Sequence, residues 1–199
     1  MPRRLILASA SSGRSELLRR TGVAFDVIPS DCDEETDIGE PEEHVKELAL
    51  RKARSVAQRE QDSVVIGADT VVELDGEILG KPIGVAGARE MLARLSGRNH
   101  RLLTGLAVVD SADGSVYSGI EQTLVHMRPL SAPEIDAYVA SGEPLDKSGS
   151  YELQGLGATI IDRIEGDFSN VVGLPMAHLA RALTRFGVAL LDIDRKEDQ

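Results

Sequence analysis

Two charged side chains occupy positions that the surrounding sequence marks as buried. Asp69 follows the run Val-Val-Ile-Gly-Ala within a strand expected over residues 63–74. A carboxylate so close to a core strand costs several kcal/mol unless it is paired or binds a metal. Lys52 falls seven residues after Val45, on the apolar stripe of a helix expected over residues 42–59. A lysine there either extends its ammonium to the rim of the fold or points into a cleft that needs a cation.

A short hairpin is expected directly after Asp69. The pair Asp75-Gly76 is typical of a two-residue hairpin turn, and the register it sets places Thr70 opposite Lys81. The hairpin thereby brings a lysine beside Asp69. Strict alternation leaves Asp69 on the opposite face, so that a bulge near Gly80 is expected. An ion pair of Asp69 with Lys81 is either structural or part of a catalytic site.

Residues 9–14, Ser-Ala-Ser-Ser-Gly-Arg, lie between a short buried strand and a helix. Backbone amides at a helix N-terminus suit a phosphate group, together with the hydroxyls of Ser9 and Ser11 and the guanidinium of Arg14. The Gly-Lys-Ser/Thr ending of a Walker A loop is missing. The alternative is that Ser11 or Ser12 is an ordinary helix cap and that Arg14 is solvated.

Two loops add groups that suit a nucleotide. One loop carries the acidic residues Asp31, Asp33, Glu34 and Glu35. Their hard oxygen ligands suit magnesium or manganese, although a solvated acidic loop is the ordinary alternative. The other loop, residues 142–157, is rich in glycine and holds Gln154, whose amide can both donate to and accept from a nucleobase edge. A turn-rich loop without a ligand is the alternative there.

Strand-like and helix-like patterns alternate along the chain, which favours an α/β fold. Strands are expected at residues 4–8, 24–28, 63–74, 77–79, 101–110, 116–127 and 158–164, and helices at residues 11–20, 42–59, 85–95, 131–140 and 175–186. The long hairpins favour a mixed sheet over a purely parallel one. We expect residues 1–199 to form one domain with two lobes around a cleft, and the tail from about residue 192 to be frayed.

Composition excludes several classes of protein. The chain has 199 residues and a net charge of −11, with 22 Lys and Arg against 33 Asp and Glu. An acidic chain is repelled by nucleic acid and by anionic membranes, so neither is an expected partner. Cys32 is the only cysteine, which excludes an intrachain disulfide and fits a reducing cytoplasm, where we expect the protein to be. No apolar run is long enough to span a membrane.

Taken together, these segments resemble the Maf family of nucleoside triphosphate pyrophosphatases over nearly the whole chain. The motifs that carry the resemblance are Leu-Ala-Ser-Ala-Ser-Ser-Gly-Arg at 7–14, Asp-Glu at 33–34, Leu-Ala and Lys-Ala at 48–49 and 52–53, Gly-Ala-Asp-Thr-Val-Val at 67–72, Leu-Gly-Lys-Pro at 79–82, Leu-Ser-Gly at 95–97, Asp-Lys-Ser-Gly-Ser-Tyr at 146–151 with Gln-Gly at 154–155, and Val-Val-Gly-Leu-Pro at 171–175. Each is weak alone, but eight motifs in the right order are specific.

The resemblance implies a two-lobed α/β fold related to that of inosine triphosphatases, with a mixed twisted sheet flanked by helices around a central cleft, often as a homodimer. It implies cleavage of a nucleoside triphosphate between its α and β phosphates with a divalent cation, magnesium or manganese. Asp69 is then the expected proton acceptor, with Lys81 and Glu34 also catalytic, and Glu34 and Asp69 hold the metal. The expected substrate ligands are Ser9, Ser11, Arg14, Lys52, Thr70 and Gln154, and Lys81 also grips the triphosphate.

Within the family, Thr70 and Gln154 resemble the branch that acts on dTTP and UTP, a pool-cleaning activity that can extend to modified pyrimidine nucleotides. Gly13 departs from the pattern, since it stands where the family usually has an arginine tied to substrate choice. Two alternatives therefore stay open. One is the same chemistry on 7-methyl-GTP or on a broad range of nucleotides, and the other is a nucleotide-binding regulator of cell division without turnover.

Overall fold

A computed structural model describes residues 3–191 of the chain, and the tail expected to be frayed lies outside these residues. The strands are β1 (Arg4–Leu7), β2 (Asp26–Val27), β3 (Ser63–Leu74), β4 (Glu77–Leu79), β5 (Asn99–Asp110), β6 (Val116–Met127) and β7 (Ile161–Glu165). The helices are α1 (Ser12–Arg19), α2 (Pro41–Ala57), α3 (Gly84–Leu95), α4 (Ala132–Ala140), α5 (Phe168–Val172) and α6 (Met176–Thr184). None of these helices is both long and apolar enough to cross a membrane.

The strands form one seven-stranded sheet in the order β2-β1-β3-β5-β6-β7, and β4 pairs with the far end of β3. β1 runs parallel to β2 and β3, whereas the remaining pairs are antiparallel. The sheet is therefore mixed, and the predicted α/β class with a twisted mixed sheet flanked by helices is confirmed.

β3 is buried on both faces, and its alternating side chains contribute to different cores. Val65 and Val71 lie on the face covered by α2, as do Ala107 and Leu103 of β5. On the other face, Val64 and Ile66 pack with α1 and α6, whereas Val72 and Leu74 pack with α3 and α4. This second face therefore carries two separate hydrophobic cores.

α2 lies unusually close to the sheet because two glycines stand beneath it. A Cβ atom at Gly67 would be 2.2 Å from the carbonyl oxygen of Ala49, and one at Gly105 would be 2.0 Å from that of Val45. No other residue type fits at such distances. This close approach fixes where side chains of α2, Lys52 among them, stand relative to β3.

The sheet has a gap on one edge of β3. β1 pairs with β3 only over Ser63 to Ile66, and β4 pairs only over Val72 to Leu74. Residues 67–71 therefore have no neighbouring strand on that edge among the described elements. Side chains occupy the opening instead: Arg14 Nη1 donates to the carbonyl of Ala68 at 2.9 Å, and Ser148 Oγ donates to that of Thr70 at 3.0 Å.

Several predicted boundaries shift. β2 is only two residues long instead of five, and β7 begins at Ile161 rather than at residue 158, because Leu156–Thr159 forms a 3-10 turn. The glycine-rich loop contains two further 3-10 turns, Glu143–Asp146 and Ser148–Ser150. The short helix α5 was not predicted, although Asp167 caps it by accepting a hydrogen bond from the amide of Ser169.

Candidate active site

A cavity of about 670 Å³ opens at the gap in the sheet. Its lining includes all the residues that the sequence singled out as a site: Ser9, Ser11, Arg14, Glu34, Lys52, Asp69, Thr70, Lys81 and Gln154. They come from the turn after β1, from α1, the acidic loop, α2, β3, the segment after β4, and the loop before β7. The fold therefore brings together residues that are more than a hundred positions apart in sequence.

One end of the cavity holds a cluster of three charges. Lys52 Nζ donates to Asp69 Oδ1 at 2.7 Å and to Glu34 Oε2 at 2.9 Å. Lys52 and Asp69 are each only 7% exposed, whereas the side chain of Glu34 is 60% exposed. The lysine on the apolar stripe thus points into the cleft, and its ammonium offsets the cost of burying the carboxylate of Asp69.

The expected pairing of Asp69 with Lys81 is not formed. Strand pairing in the hairpin ends at Val72 and Leu79, so that Lys81 lies beyond the ladder and is exposed. No bulge turns Asp69 toward the hairpin. The side chain of Asp69 points instead to α2, where Lys52 is its partner. Within residues 3–191, Lys81 has no carboxylate in salt-bridge distance, and the residue forms part of the cavity lining.

Arg14 lies on the opposite face of β3 from Asp69, beside Thr70. Its Nε donates to the carbonyl of Gly173 at 2.8 Å, its Nη1 to Ser9 Oγ at 3.1 Å and to the carbonyl of Ala68 at 2.9 Å, and its Nη2 to Thr70 Oγ1 at 3.0 Å. These are all neutral acceptors. They engage four of the five N–H groups of a guanidinium, so a single N–H on Nη2 is left for a ligand.

The charge of Arg14 is only partly balanced by its surroundings. Burial lowers the pKa of the guanidinium below its ordinary value, and the negative charges of Asp69 and Glu34 oppose that shift. Because the ordinary value is so high, Arg14 stays positively charged. Arg14 therefore contributes mainly a fixed positive charge to the cavity wall rather than bidentate hydrogen bonds to a ligand.

A chain of hydroxyl groups continues from the Arg14 guanidinium through Thr70 to Thr104. Thr70 Oγ1 is 2.9 Å from Thr104 Oγ1, and Thr104 Oγ1 is in turn 3.3 Å from the backbone oxygen of Asn170 in α5. The paired residues Thr70 and Thr104 lie where the two cores of this face of the sheet meet.

Ser11 caps α1, its Oγ accepting from the amide of Arg14 at 3.4 Å. The interpretation of Ser11 as a cap is confirmed, and its side chain also lines the cavity.

Gln154 forms another part of the cavity wall, and its side chain is exposed. Gly13 lies next to it: a Cβ atom built on Gly13 would be 3.7 Å from Gln154 Oε1 and 3.2 Å from Val172 Cγ1. The position that departs from the family pattern therefore borders the amide expected to recognise the base. With glycine there, the cleft is wider beside Gln154 than any side chain would leave it.

Much of the cavity lining was not among the predicted site residues, and His44, Tyr151, Lys147 and Ser148 belong to that part. His44 on α2 has its Nδ1 3.3 Å from the carbonyl of Ile38, and no feature of the sequence marked it. Tyr151 contacts buried His100, with 2.8 Å between its hydroxyl and His100 Nε2. Lys147 and Ser148 belong to a segment that the sequence did mark, 146–151, but without roles. Ser148 closes the edge of β3 at Thr70.

Lys147 forms a second charged group in the cavity wall. Its Nζ lies 3.2 Å from Glu152 Oε2 and 3.3 Å from Asp146 Oδ2. Partial burial alone would lower the pKa of Lys147, but hydrogen bonds and charge from Glu152 and Asp146 outweigh that effect and raise the pKa above its ordinary value. Lys147 is therefore a cation at any physiological pH.

The carboxylates of Glu34 and Asp69 suit a divalent cation that substrate helps to bind. In residues 3–191 no three His, Cys, Asp or Glu side chains are grouped to hold a metal ion by themselves. Magnesium typically takes one or two protein carboxylates and completes its ligand set with water and substrate phosphates. Two carboxylates that converge on the same ammonium at the mouth of a cavity provide that kind of donor set.

Comparison with known proteins agrees with this architecture. The solved structure of the Staphylococcus aureus Ham1 protein superposes with a TM-score of 0.54 at 13% identity, covering 93% of this chain and 100% of that one. At this identity the likeness shows the fold alone. It agrees with an α/β fold built on a mixed sheet flanked by helices.

A model of the family described as Maf-like protein matches residues 4–186. A relative from Symbiobacterium thermophilum is 49% identical, over 92% of this chain and 94% of its own, and one from Moorella thermoacetica is 48% identical, over 93% and 96%. Both are named dTTP/UTP pyrophosphatase. The chain belongs to the Maf family.

Proposed function

We propose that the chain hydrolyses dTTP and UTP to the nucleoside monophosphate and pyrophosphate. The observation that carries this proposal is the buried Asp69 carboxylate, held by Lys52 beside Glu34 at the gap in the sheet. A protein that only bound nucleotides would not need a buried carboxylate there. The proposal is also supported by the names of relatives that are 43–49% identical over most of the chain.

In the proposed reaction Asp69 orients a water molecule and accepts its proton as the water oxygen attacks the α-phosphorus. A bond forms between that oxygen and the α-phosphorus, and the bond from the α-phosphorus to the oxygen bridging to the β-phosphate breaks. The bridging oxygen leaves with pyrophosphate and takes its electron pair. Asp69 then passes the proton to solvent, so that water and triphosphate give monophosphate, pyrophosphate and one proton.

Positive side chains line the path of the triphosphate. Lys81 is an exposed lysine of the cavity lining, and Arg14 offers one N–H and a fixed charge. Lys52 offsets one of the two negative charges of the carboxylate pair, which weakens the repulsion of an approaching polyanion. Fixed positive charge at the point where the leaving group gains negative charge lowers the barrier.

A divalent cation completes this proposal. Glu34 and Asp69 would hold magnesium or manganese together with phosphate oxygens of the substrate. When bound, the metal supplies further positive charge against the triphosphate. Dependence on the metal is a proposal that the donor set supports.

For the base, we propose that the Gln154 amide hydrogen-bonds the edge of the pyrimidine. A broader nucleotide range is the second candidate, and one observation favours it. Gly13 leaves space beside Gln154 that a side chain would otherwise fill. A larger base can enter that space, so that the preference for dTTP and UTP would be less strict than in relatives that carry a side chain at this position.

The test is pyrophosphate release from dTTP, UTP, 7-methyl-GTP, ATP and GTP, each with magnesium, manganese or EDTA. We expect metal-dependent release from dTTP and UTP and little from ATP. Asp136→Asn, which changes an exposed aspartate paired with Arg89, is a control that should keep full activity. Strong release from 7-methyl-GTP or from all nucleotides would retain the chemistry and overturn the substrate assignment. No release from any nucleotide would favour a binding protein.

A further inference from the structure

The segment that carries Gln154 belongs to no strand or α-helix, and one carboxylate holds it in place. Glu143 Oε2 accepts a hydrogen bond from the amide of Leu156 at 2.8 Å, and Glu143 Oε1 accepts one from the amide of Gly157, also at 2.8 Å. Both oxygens of the carboxylate are thus used on the residues just after Gln154. None of the side-chain hydrogen bonds within the described residues involves Gln154 itself, so its backbone must set its position.

Tyr138 of α4 holds the other side of the same segment. Its hydroxyl donates to Glu143 Oε1 at 2.8 Å and accepts from the amide of Glu152 at 3.1 Å. The amides of Glu152 on one side and of Leu156 and Gly157 on the other are therefore tied to two adjacent side chains. Tyr138 is itself buried in the core between α3 and α4, which makes it a rigid anchor.

The glycines of the segment fit this arrangement closely. A Cβ atom at Gly155 would be 2.2 Å from Glu143 Oε2, and one at Gly157 would be 2.7 Å from the Tyr138 hydroxyl. A side chain at either position would displace the carboxylate or the phenol. The sequence Gln-Gly-Leu-Gly at 154–157 therefore lets the backbone lie directly against Glu143 and Tyr138.

The charge state of Glu143 suits its role as an acceptor of three hydrogen bonds. Burial would raise its pKa, but hydrogen bonds from the amides of Gly157 and Leu156 and from the Tyr138 hydroxyl, together with the charge of Lys147, outweigh burial and lower the pKa below its ordinary value. At neutral pH Glu143 is therefore a carboxylate with both oxygens available as acceptors.

We propose that Glu143 and Tyr138 are positioning residues for nucleotide selection: they set where the Gln154 amide stands in the cleft. This inference rests on the proposed function, in which Gln154 recognises the base. Without the two anchors, the segment has no strand partner to hold it, and the amide would sample many positions. The catalytic end would be unaffected, because Asp69 and Lys52 stand on β3 and α2.

The test uses Glu143→Gln and Tyr138→Phe in the full chain. The amide of Glu143→Gln keeps one acceptor oxygen but places an N–H where the other oxygen accepted from a backbone N–H. One of the two hydrogen bonds from the amides of Leu156 and Gly157 is therefore lost. Glu134→Gln is the matched control. That carboxylate caps the start of the same helix, α4, by accepting from the amide and hydroxyl of Ser131 at 2.8 Å, and it does not line the cavity.

Two readouts are measured for each protein. One is the selectivity ratio, the dissociation constant of α,β-imido-dATP divided by that of α,β-imido-dUTP; both analogues resist cleavage and so report selectivity without turnover. The other is amide hydrogen exchange over residues 152–157. For Glu143→Gln and Tyr138→Phe we expect faster exchange in this segment and a selectivity ratio about tenfold lower, whereas Glu134→Gln keeps the wild-type ratio and exchange.

An unchanged selectivity ratio in both variants would overturn the inference, whatever the exchange rates. Unchanged amide hydrogen exchange over residues 152–157 in both variants would also overturn it. Tyr138→Phe keeps the aromatic ring in the core and carries the test if Glu143→Gln does not fold. Failure of the proposed function looks different: the wild-type chain would bind the analogues selectively but release no pyrophosphate from dTTP. Selective turnover by the wild type with an unchanged ratio in the variants would overturn this inference alone.

Discussion

The proposed function assigns catalysis to the part of the cleft at Asp69 and Lys52 and base recognition to the part at Gln154. These two parts, which we name the catalytic end and the recognition end, are held in different ways. At the catalytic end, Asp69 lies in the middle of a twelve-residue strand, and Lys52 lies on the helix packed against it. Both are buried. At the recognition end, Gln154 is exposed on a segment without regular structure, which depends on Glu143 and Tyr138.

This difference separates rate from selectivity. The positions of Asp69 and Lys52 follow from the packing of α2 on β3, which the glycines beneath the helix allow. The position of Gln154 follows from a few hydrogen bonds to one carboxylate and one phenol. Substitutions at the catalytic end should therefore change turnover and stability, whereas those at the recognition end should change which nucleotide is preferred.

The largest effect is expected from Asp69→Asn. The amide keeps the size of the side chain but cannot accept a proton from water, so turnover of dTTP should fall about 10³-fold. Affinity for α,β-imido-dUTP should change only a few fold. Steady-state pyrophosphate release and calorimetric titration measure the two quantities. Turnover close to that of the wild type would make Asp69 a structural carboxylate and would remove the catalytic half of the comparison.

Lys52→Met should be the most destabilising change at this end. It leaves the buried carboxylate of Asp69 without its ammonium partner, so the free energy of unfolding should fall by about 4 kcal/mol. Combining it with Asp69→Asn removes the unpaired charge, and the double variant should regain much of the loss. Urea unfolding at pH 7 provides the four values. If the two single losses simply add, the ion pair does not carry the stability assigned to it.

A smaller effect is expected at buried His100, which contacts Tyr151 of the cavity wall. Desolvation lowers the pKa of His100 from 6.5 to about 4. Because the unfolded chain then binds a proton at His100 more tightly than the folded chain does, protonation favours unfolding. The stability that neutral His100 contributes is fully present above about pH 6.5 and is lost as the pH falls toward 4. The contribution of this residue is about 3 kcal/mol over that range.

His100→Gln keeps a hydrogen-bonding group beside Tyr151 but does not titrate. The free energy of unfolding of this variant should therefore fall less steeply than that of the wild type between pH 7 and pH 4. Urea unfolding at a series of pH values gives both curves. Parallel curves for the two proteins would show that His100 is not held neutral by burial.

Sequence patterns correctly predict part of the catalytic end. Strand β3, its two-residue turn and the start of β4 follow from local signals, and the register of Val72 with Leu79 is as predicted. The partner of Asp69 was predicted wrongly. Hairpin spacing points to Lys81, whereas the true neighbour, Lys52, is set by how α2 packs across the sheet. Lys52 was identified as a charged residue on a buried face, but the pattern could not say what it meets.

The recognition end was predicted less completely. Gln154 was singled out for its chemistry, yet nothing local indicates that Glu143 and Tyr138 hold its backbone. Those contacts join residues from α4 and a 3-10 turn to a loop thirteen or fourteen positions later in the chain. Helix α5 escaped prediction because it is only five residues long and has no apolar periodicity.

The most direct test of the catalytic assignment is hydrolysis of dTTP in water enriched in ¹⁸O, followed by mass spectrometry of both products. Attack on the α-phosphorus by a water that Asp69 orients predicts one ¹⁸O atom in the monophosphate and none in pyrophosphate. Label in pyrophosphate would mean attack on the β-phosphorus and would contradict the account of how Asp69, Lys52 and Glu34 act on the substrate.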